Sequence, residues 1–419
     1  MNVLAVSRTA LATRPGTDTQ PPATNERSAS ETIPHFLCGA IPRHILTRLA
    51  QEAPDGAGAD ARATLEQMDA LERGPSPTLL EVSDAGEGRS RKRRLVYDAQ
   101  GQHRLPGTLV ISEHCRDVET SIEAREAFDG CGATSDFYFD LFGRPSIDDQ
   151  DMPIESTVHY GVRFENAMWN GRQMIFGDGD GRVFIRLTRS LDVIAHELTH
   201  GVIQATAALG YTGQTGALNE HLADAFGIMV KQYTLGLLAR ESDWRIGAEL
   251  LGPEFRGRAV RSMADPGSAY DDPLLGRDPQ PAHMDDYVVT EADHGGVHIN
   301  SGILNYAFYL AAVGLGGHTW GPLGTIYYLV LTRDLRPNDD FEDFALATTA
   351  AAGELYGTGS RIQGTIADAW TAVGLEIPHL RRGHRRRSKA ERRADGAPRP
   401  FSKKRWSKTD PQRRRRHQR

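Results

Sequence analysis

The 419-residue sequence contains only three cysteines, Cys38, Cys115 and Cys131. So few thiols exclude a small scaffold held together by disulfides. A single disulfide between Cys115 and Cys131 is one alternative, but we favour free thiols. A metal site in this chain would have to rely on histidines and carboxylates. No apolar run is long enough to cross a membrane, so helical membrane spans are not expected.

The N-terminal residues do not favour a conventional export signal. The first residues, MNVLAVSRTALATRPG, are interrupted by Arg8 before the apolar stretch of ~7–15 residues that a signal peptide needs.

Charge is distributed unevenly along the chain. The formal net charge is −6, but residues 381–419 carry 18 Lys and Arg against three acidic residues, which is +15 and leaves −21 for the rest. This basic tail, which includes Trp406, predicts either a solvated extension or binding to an anionic partner such as nucleic acid or a membrane surface.

Periodicity and composition predict an α+β fold. Two short helical patterns precede residue 73: Ile45, Leu46 and Leu49 share one face, and Leu65, Met68 and Leu71 share another. Alternating apolar residues after residue 95 predict strands and hairpins, and the pattern is helical after residue 192. The predicted segments are a disordered N-terminus (1–34), a short helical segment (35–80), a basic linker (81–94), a β-rich lobe with a histidine-bearing helix (95–208), a helical lobe (209–378) and a disordered basic tail (379–419).

The stretch VIAHELTHGV (193–202) predicts a metal-binding helix. His196 and His200 lie one turn apart on the same face, and Glu197 is placed to reach a metal-bound water. An ordinary amphipathic helix with two histidines is the alternative.

A second acidic pair favours the metal. In GALNEHLADAFG (216–227), Glu220 and Asp224 lie one turn apart among apolar residues. Glu220 would complete a His₂Glu ligand set with an open fourth position, and Asp224 would orient a ligand histidine. A solvated acidic helix face is the alternative.

Several motifs together resemble the thermolysin-like metallopeptidases, specifically their short-propeptide, protealysin-like branch. The resemblance runs from about Leu95 to Gly374. Its motifs are NAMWNGRQMIFGDGDG (166–181), LDVIAHELTHGV (191–202), GALNEHLADAFG (216–227), RSMADP (261–266) and DHGGVHINSGILN (293–305).

The resemblance implies a two-lobed fold, β-rich then helical, with one catalytic Zn²⁺ in the cleft between the lobes. It implies that Glu197 is the general base. His298 would stabilise the oxyanion, Asp293 would orient His298, and Tyr211 would donate a second hydrogen bond. From the residues alone, packed core side chains would be the favoured interpretation of both His298 and Tyr211.

The resemblance also implies how a polypeptide substrate binds. Asn166 and Ala167 match edge-strand residues that hold the peptide backbone, and Arg261 matches the arginine that binds the carbonyl beyond the scissile bond. The implied specificity pocket is apolar and predicts cleavage on the amino side of bulky hydrophobic residues. Its residues are Phe184, Leu187, Val193, Ile246 and Val260.

Some positions depart from the family pattern. Asp192 and Asp243 match calcium-binding acids, but Lys231 and Ala248 stand where two further acids are expected. The resemblance therefore implies at most one calcium, at a reduced site of Asp192 and Asp243.

The front segment is residues 35–80, and its stretch CGAIPRHILTRLA (38–50) resembles the short propeptide of the branch, with Pro42-Arg43 in place of a pair of prolines. It would act as an intramolecular inhibitor released by cleavage between about residues 55 and 94. Cys38 has two interpretations, a thiolate that latches onto zinc or a packed thiol.

The chain is thus expected to be a monomeric zinc endopeptidase made as a zymogen. The resemblance favours secretion, and cytoplasmic location is the alternative. An aminopeptidase is a second enzymatic hypothesis, although the predicted Asn166–Ala167 edge strand favours an endopeptidase. A weakly active or inactive peptidase fold that binds anions or nucleic acid through its tail is the non-enzymatic hypothesis.

Overall fold

A computed structural model describes residues 37–53, 56–74 and 93–377. The predicted N-terminal segment 1–34, nearly all of the linker 81–94 and the basic tail 379–419 lie outside these ranges.

The β-rich part is built on one six-stranded sheet. Its spatial order is β1-β5-β6-β4-β2-β3, in which β2, β4 and β6 run parallel and β1 pairs antiparallel with β5. The strands of this sheet are β1 (Cys38–Gly39), β2 (Arg94–Asp98), β3 (Thr108–Ser112), β4 (Ile154–Val158), β5 (Ala167–Trp169) and β6 (Met174–Phe176). Two small hairpins follow, formed by β7 (Arg245–Ile246) with β8 (Arg261–Ser262) and by β9 (Asp271–Asp272) with β10 (Gly276–Arg277).

The second half of the described chain is mainly helical, which confirms the predicted α+β class with a β-rich region before a helical one. The helices are α1 (Arg43–Glu52), α2 (Ala57–Arg73), α3 (Ile122–Phe142), α4 (Leu191–Ala205), α5 (Gly213–Leu235), α6 (Asp293–Leu315), α7 (Pro322–Leu329), α8 (Phe341–Tyr356) and α9 (Arg361–Ala372). None of the described helices is long and apolar enough to span a membrane.

Helix α3 was not expected, because the segment after residue 95 was predicted to form strands and hairpins. Ser121 caps its start by accepting from the Ala124 amide, and Gly143 ends it in the left-handed conformation. Glycine inside the helix weakens the helical pattern but permits close packing: a Cβ on Gly130 would lie 2.4 Å from Ile194 of α4. The prediction of strands was therefore wrong here.

The front segment packs onto the rest of the protein through the faces that its sequence predicts. Ile45, Leu46 and Leu49 of α1 are buried, as is Met68 of α2. Apolar side chains at helical spacing need such a partner surface, and the strand β1 joins the main sheet beside them. Within the described residues this segment is part of one continuous hydrophobic core. All three cysteines are free thiols.

Candidate active site

Helix α4 carries both histidines of the VIAHELTHGV stretch in the interior of the protein. His196 and His200 are buried, and their Nε2 atoms lie 3.1 Å apart. A spacing of four residues brings the two side chains to one face of the helix. The structure therefore points both rings at the same small region.

Helix α5 brings Glu220 to the same region. Its Oε2 lies 3.5 Å from His196 Nε2, and its Oε1 lies 3.5 Å from His200 Nε2. This approach requires α4 and α5 to pack very closely. Gly227 allows it, since a Cβ there would lie 2.6 Å from the Asp192 carbonyl oxygen.

These three side chains fit a metal ion. Ligand atoms of a tetrahedral cation with bonds of about 2.0–2.2 Å lie roughly 3.3–3.6 Å apart. The separations of 3.1 and 3.5 Å are close to that range. Glu220 Oε2 is also a buried oxygen without a hydrogen-bond partner among the described residues, which a cation would satisfy. His196, His200, Glu220 and Cys38 form one buried cluster whose ligand atoms all lie within 4.8 Å of one another.

A second layer of side chains orients the histidines. His196 Nδ1 lies 2.8 Å from Asp224 Oδ1, as the one-turn spacing from Glu220 led us to expect. His200 Nδ1 lies 2.9 Å from Asn219 Oδ1, a contact that is not predicted from the sequence. The only signal for Asn219 was its place directly before Glu220 in the NEHLAD stretch. Both contacts leave the Nε2 atoms facing each other.

Glu197 lies beside the cluster with one oxygen held and the other available. Its Oε2 accepts a hydrogen bond from the Trp169 amide at 2.9 Å, while Oε1 has no partner among the described residues. Burial, and next the negative charge of Glu220, raise the pKa of Glu197 well above its usual range. A cation held by Glu220 would offset that charge, so the carboxyl is placed to exchange a proton.

His298 reaches the cluster from the opposite helix. Its Nδ1 lies 2.7 Å from Asp293 Oδ1, and its backbone amide donates to Asp293 Oδ2 at 2.9 Å. Both contacts depend on a left-handed turn at residues 293–296, where two glycines follow Asp293 and His294. Burial opposes the charged ring, but Glu220 and Asp293 outweigh it and raise the pKa of His298. The Tyr211 hydroxyl lies 3.4 Å from His298 Nε2 and donates to Glu220 Oε1 at 2.5 Å.

The front segment pairs with the edge strand that the family resemblance predicts to bind substrate. Ala40 N donates to the Ala167 carbonyl at 2.9 Å. The Asn166 side chain accepts from Ile41 N at 2.9 Å and donates to Ile41 O at 3.0 Å. Arg261 Nη1 donates to the Ala40 carbonyl at 3.3 Å. Asn166, Ala167 and Arg261 therefore bind a peptide backbone in this structure, and that backbone belongs to the chain itself.

The five residues assigned to the specificity pocket are all buried. Val260 N donates to Ile246 O at 3.0 Å, so these two are neighbours, and the Phe184 ring lies 5.7 Å from that of Phe255. Leu187, which lies shortly before α4, and Val193, which lies in its first turn, are equally buried. The five positions are apolar and inside the protein, but pocket lining stays a prediction.

At the matching calcium positions, the structure places an ion-pair cluster. Lys231 Nζ donates to Asp192 Oδ2 at 3.0 Å and to Glu249 Oε1 at 2.8 Å. Asp192 is fully buried, so its negative charge would lack a counter-charge without the ammonium group of Lys231. Asp243 lies with its Oδ2 3.3 Å from Arg245 Nη2 and is partly exposed.

Comparison with known proteins gives matches over nearly all of the described chain. Residues 79–204 match the catalytic domain of thermolysin metallopeptidases, and residues 207–375 match their α-helical domain. An extracellular metalloprotease of Pectobacterium carotovorum subsp. carotovorum is 46% identical over 348 residues, which are 81% of this chain and 97% of that protein. Protease PrtS of a Photorhabdus species (strain Az29) is 41% identical over 348 residues, 81% of this chain and 92% of that protein. The solved precursor of protealysin, a metalloproteinase from Serratia proteamaculans, superposes with a TM-score of 0.73 at 42% identity, covering 81% of this chain and 99% of that one.

A helix bearing His-Glu-x-x-His, a third ligand from the next helix and an edge strand holding a peptide backbone define a metallopeptidase. The family matches cover more than half of the sequence and agree with this geometry. The chain belongs to the thermolysin metallopeptidase family, in its protealysin-like branch.

Proposed function

We propose that this chain is a zinc-dependent endopeptidase made as a zymogen, which cleaves on the amino side of bulky hydrophobic residues. One observation carries the proposal: His196, His200 and Glu220 converge at 3.1–3.5 Å beside Glu197, whose Oε1 is unpartnered among the described residues. Two imidazoles and a carboxylate with a neighbouring base are the donor set of hydrolytic zinc.

Glu197 would move the proton in the reaction. A bound Zn²⁺ supplies Lewis acidity, which lowers the pKa of coordinated water to about 7 and polarises a carbonyl. Glu197 Oε1 would accept a proton from the attacking water and pass it to the leaving amine. Its other oxygen stays fixed by the Trp169 amide, which keeps the carboxyl oriented.

His298 and Tyr211 would stabilise negative charge on the carbonyl oxygen of the substrate. Asp293 holds His298 Nδ1 at 2.7 Å, and its charge favours a protonated ring that donates from Nε2. The Tyr211 hydroxyl, 3.4 Å from that Nε2, would supply the second donor. Donors fixed in advance at such a position lower the barrier without reorganising during the step.

The contacts of the front segment support strand addition as the mode of substrate binding. Ala40 and Ile41 already contact Asn166, Ala167 and Arg261 through their backbone. Backbone recognition leaves side-chain selection to the apolar pocket proposed around Ile246 and Val260.

The same contacts support the zymogen. A substrate cannot pair with β5 while β1 is paired there, so the segment 35–80 would inhibit until it is released. We propose that release follows cleavage between about residues 55 and 94.

Metal removal tests the proposed activity. A chelator is expected to abolish hydrolysis of an internally quenched peptide by the processed chain, and stoichiometric Zn²⁺ is expected to restore it. Mass spectrometry of products from peptides with Leu, Phe, Gly or Asp after the cut bond reports both position and preference. Undiminished hydrolysis by metal-free protein, or cleavage confined to peptide ends, contradicts the proposal.

Glu165 predicts a pH dependence of stability. It is buried under α2, its amide donates to Thr64 Oγ1 at 3.0 Å, and its carboxyl oxygens have no partner among the described residues. Burial, and next the charges of Asp180 and Asp60, raise the pKa of Glu165 from 4.5 to about 9. The folded state therefore holds a proton that the unfolded state releases, so stability falls as pH rises between these values.

The expected size of this effect is up to about 1.4 kcal/mol per pH unit, and Glu165→Gln should remove it. Urea unfolding of the full-length chain at several pH values between about 5 and 9, in a Glu197→Gln background that prevents self-cleavage, measures the slope. If the free energy of unfolding changed equally with pH in the presence and absence of Glu165, the Glu165 carboxyl could not be neutral in the folded protein.

Calcium is expected to be dispensable. We propose that Lys231 supplies the charge at Asp192 that an ion would otherwise provide. With the free zinc concentration held constant, transfer from calcium-containing to calcium-free buffer should therefore shift the melting temperature by no more than about 1 °C, since no bound ligand is lost. A melting temperature that rises steadily with added calcium would instead indicate an ion at Asp192 and Asp243.

The relatives named above include an extracellular metalloprotease, and we propose that this chain also acts outside the cell, as a monomer on polypeptide substrates. Binding of an anionic partner by the tail, residues 379–419, stays a prediction.

A further inference from the structure

Cys38 lies at the centre of the candidate metal site although it belongs to the front segment. Its Sγ donates to Glu220 Oε1 at 2.9 Å and lies 3.8 Å from His298 Nε2. The residue is 1% exposed. It precedes His196 by 158 positions, and the pairing of β1 with β5 brings it to the site.

We infer that the Cys38 sulfur is the fourth ligand of the metal in the full-length chain and holds the position that solvent takes after processing. This inference rests on the proposed function. The ligand atoms of Cys38, His196, His200 and Glu220 all lie within 4.8 Å of one another. Three protein ligands leave one position of a tetrahedral zinc open, and a cysteine sulfur is among its preferred donors.

The surroundings of Cys38 favour a ligand over a packed thiol. A buried thiol without a chemical role behaves as a small apolar side chain. The Cys38 sulfur instead faces the carboxylate of Glu220, the imidazole of His298 and the phenol-bearing side chain of Tyr211. Among the described residues, the small buried cluster that contains Cys38 has two other members, Tyr211 and Val297.

The backbone around Cys38 is built to deliver the sulfur. Cys38 and Gly39 stand opposite Trp169 and Met168 in the strand register, and Asn166 clamps both backbone groups of Ile41. Gly39 is required for this approach, because a Cβ there would lie 2.4 Å from Asn166 Nδ2. These contacts fix the register of β1 against β5, which places the Cys38 thiol against Glu220.

Ligation by Cys38 would make inhibition depend on the metal as well as on the pairing of β1 with β5, which blocks substrate. Withdrawal of β1 would free a coordination position at the moment when it frees the edge of β5. By reciprocity, loss of the metal would weaken the hold on residues 37–41. The metal and the front segment would thus stabilise each other.

Metal K-edge X-ray absorption of the full-length, zinc-loaded chain tests this assignment. The Glu197→Gln background keeps the front segment attached. We expect a sulfur neighbour at about 2.3 Å in addition to nitrogen and oxygen neighbours. Cobalt substitution gives an independent reading, since a coordinated thiolate adds sulfur-to-cobalt charge-transfer absorption.

The control variants separate Cys38 from the other thiols. Cys38→Ser and Cys38→Ala should lose the sulfur neighbour and the charge-transfer band, while Cys115→Ser, which removes an exposed thiol, should keep both. A metal bound with only nitrogen and oxygen neighbours in the full-length chain would overturn the latch and leave the peptidase proposal standing. Failure to take up zinc or cobalt at all would overturn both.

Discussion

Glu197→Gln is expected to lower kcat/KM of the processed chain by about 10²–10⁴-fold, the contribution typical of a positioned general base. The glutamine side chain has nearly the same shape as glutamate. Its oxygen can still accept the hydrogen bond that the Trp169 backbone amide donates to Glu197 Oε2 in the parent. It cannot take up a proton at the position of Oε1. Hydrolysis of an internally quenched peptide under kcat/KM conditions measures the loss.

Zinc content and melting temperature of this variant should match those of the parent, because Glu197 is not one of the converging ligands. Glu155→Gln is the matched control for the rate, since it makes the same change at a glutamate that is buried in the sheet, away from α2 and outside the cluster. Equal rates for Glu197→Gln and the parent would remove the peptidase proposal. A parallel loss of zinc would show that the substitution acts on the metal and not on proton transfer.

The local parts of this site are readable from the sequence. His196 and His200, like Glu220 and Asp224, are four residues apart, and helix geometry alone places each pair on one face. The same periodicity predicts that Ile45 and Leu49 share a buried face, which the structure confirms. Contacts within one or two helical turns need no knowledge of the tertiary fold.

Other contacts depend on backbone conformations or chain pairings that leave no periodic signal. Asp293 reaches His298 through a left-handed turn inside what reads as one helix. Cys38 lies 182 residues before Glu220 in the sequence and reaches it because β1 pairs with β5. Family resemblance supplied the first of these contacts, but for Cys38 the sequence left two interpretations open.

Helix α3 shows a third reason why part of the fold could not be predicted from the sequence. Its weak pattern arises because glycines at Gly130 and Gly132 replace larger side chains where neighbours approach closely: a Cβ would lie 2.4 Å from Ile194 and 2.0 Å from the Arg94 guanidinium, respectively. Helix propensity disfavours glycine, so a reading based on propensity and alternation predicts something other than helix. Tertiary packing decides this element, and packing is not visible in a single sequence.

Asp224→Ala is expected to lower the free energy of unfolding by about 3–5 kcal/mol, as is typical when a buried ion pair loses one partner. Asp224 accepts from Arg261 at 2.8 and 2.9 Å and from Asn305 at 2.9 Å, and its Oδ1 lies 2.8 Å from His196 Nδ1. Its removal leaves the guanidinium of Arg261 buried without a counter-charge. Chemical unfolding of the zinc-loaded chain, in the Glu197→Gln background, measures the change.

The same substitution should weaken zinc binding by about 10–100-fold, because His196 loses the group that fixes its tautomer and orientation. The double variant Asp224→Ala/Arg261→Met separates the two effects. Removing the charge of Arg261 should recover much of the lost stability, since no buried guanidinium then lacks a partner. Zinc affinity, measured by competition with a chelator, should stay low because His196 still lacks its acceptor. Recovery of both quantities together would mean that Asp224 acts on the metal only through the stability of the fold.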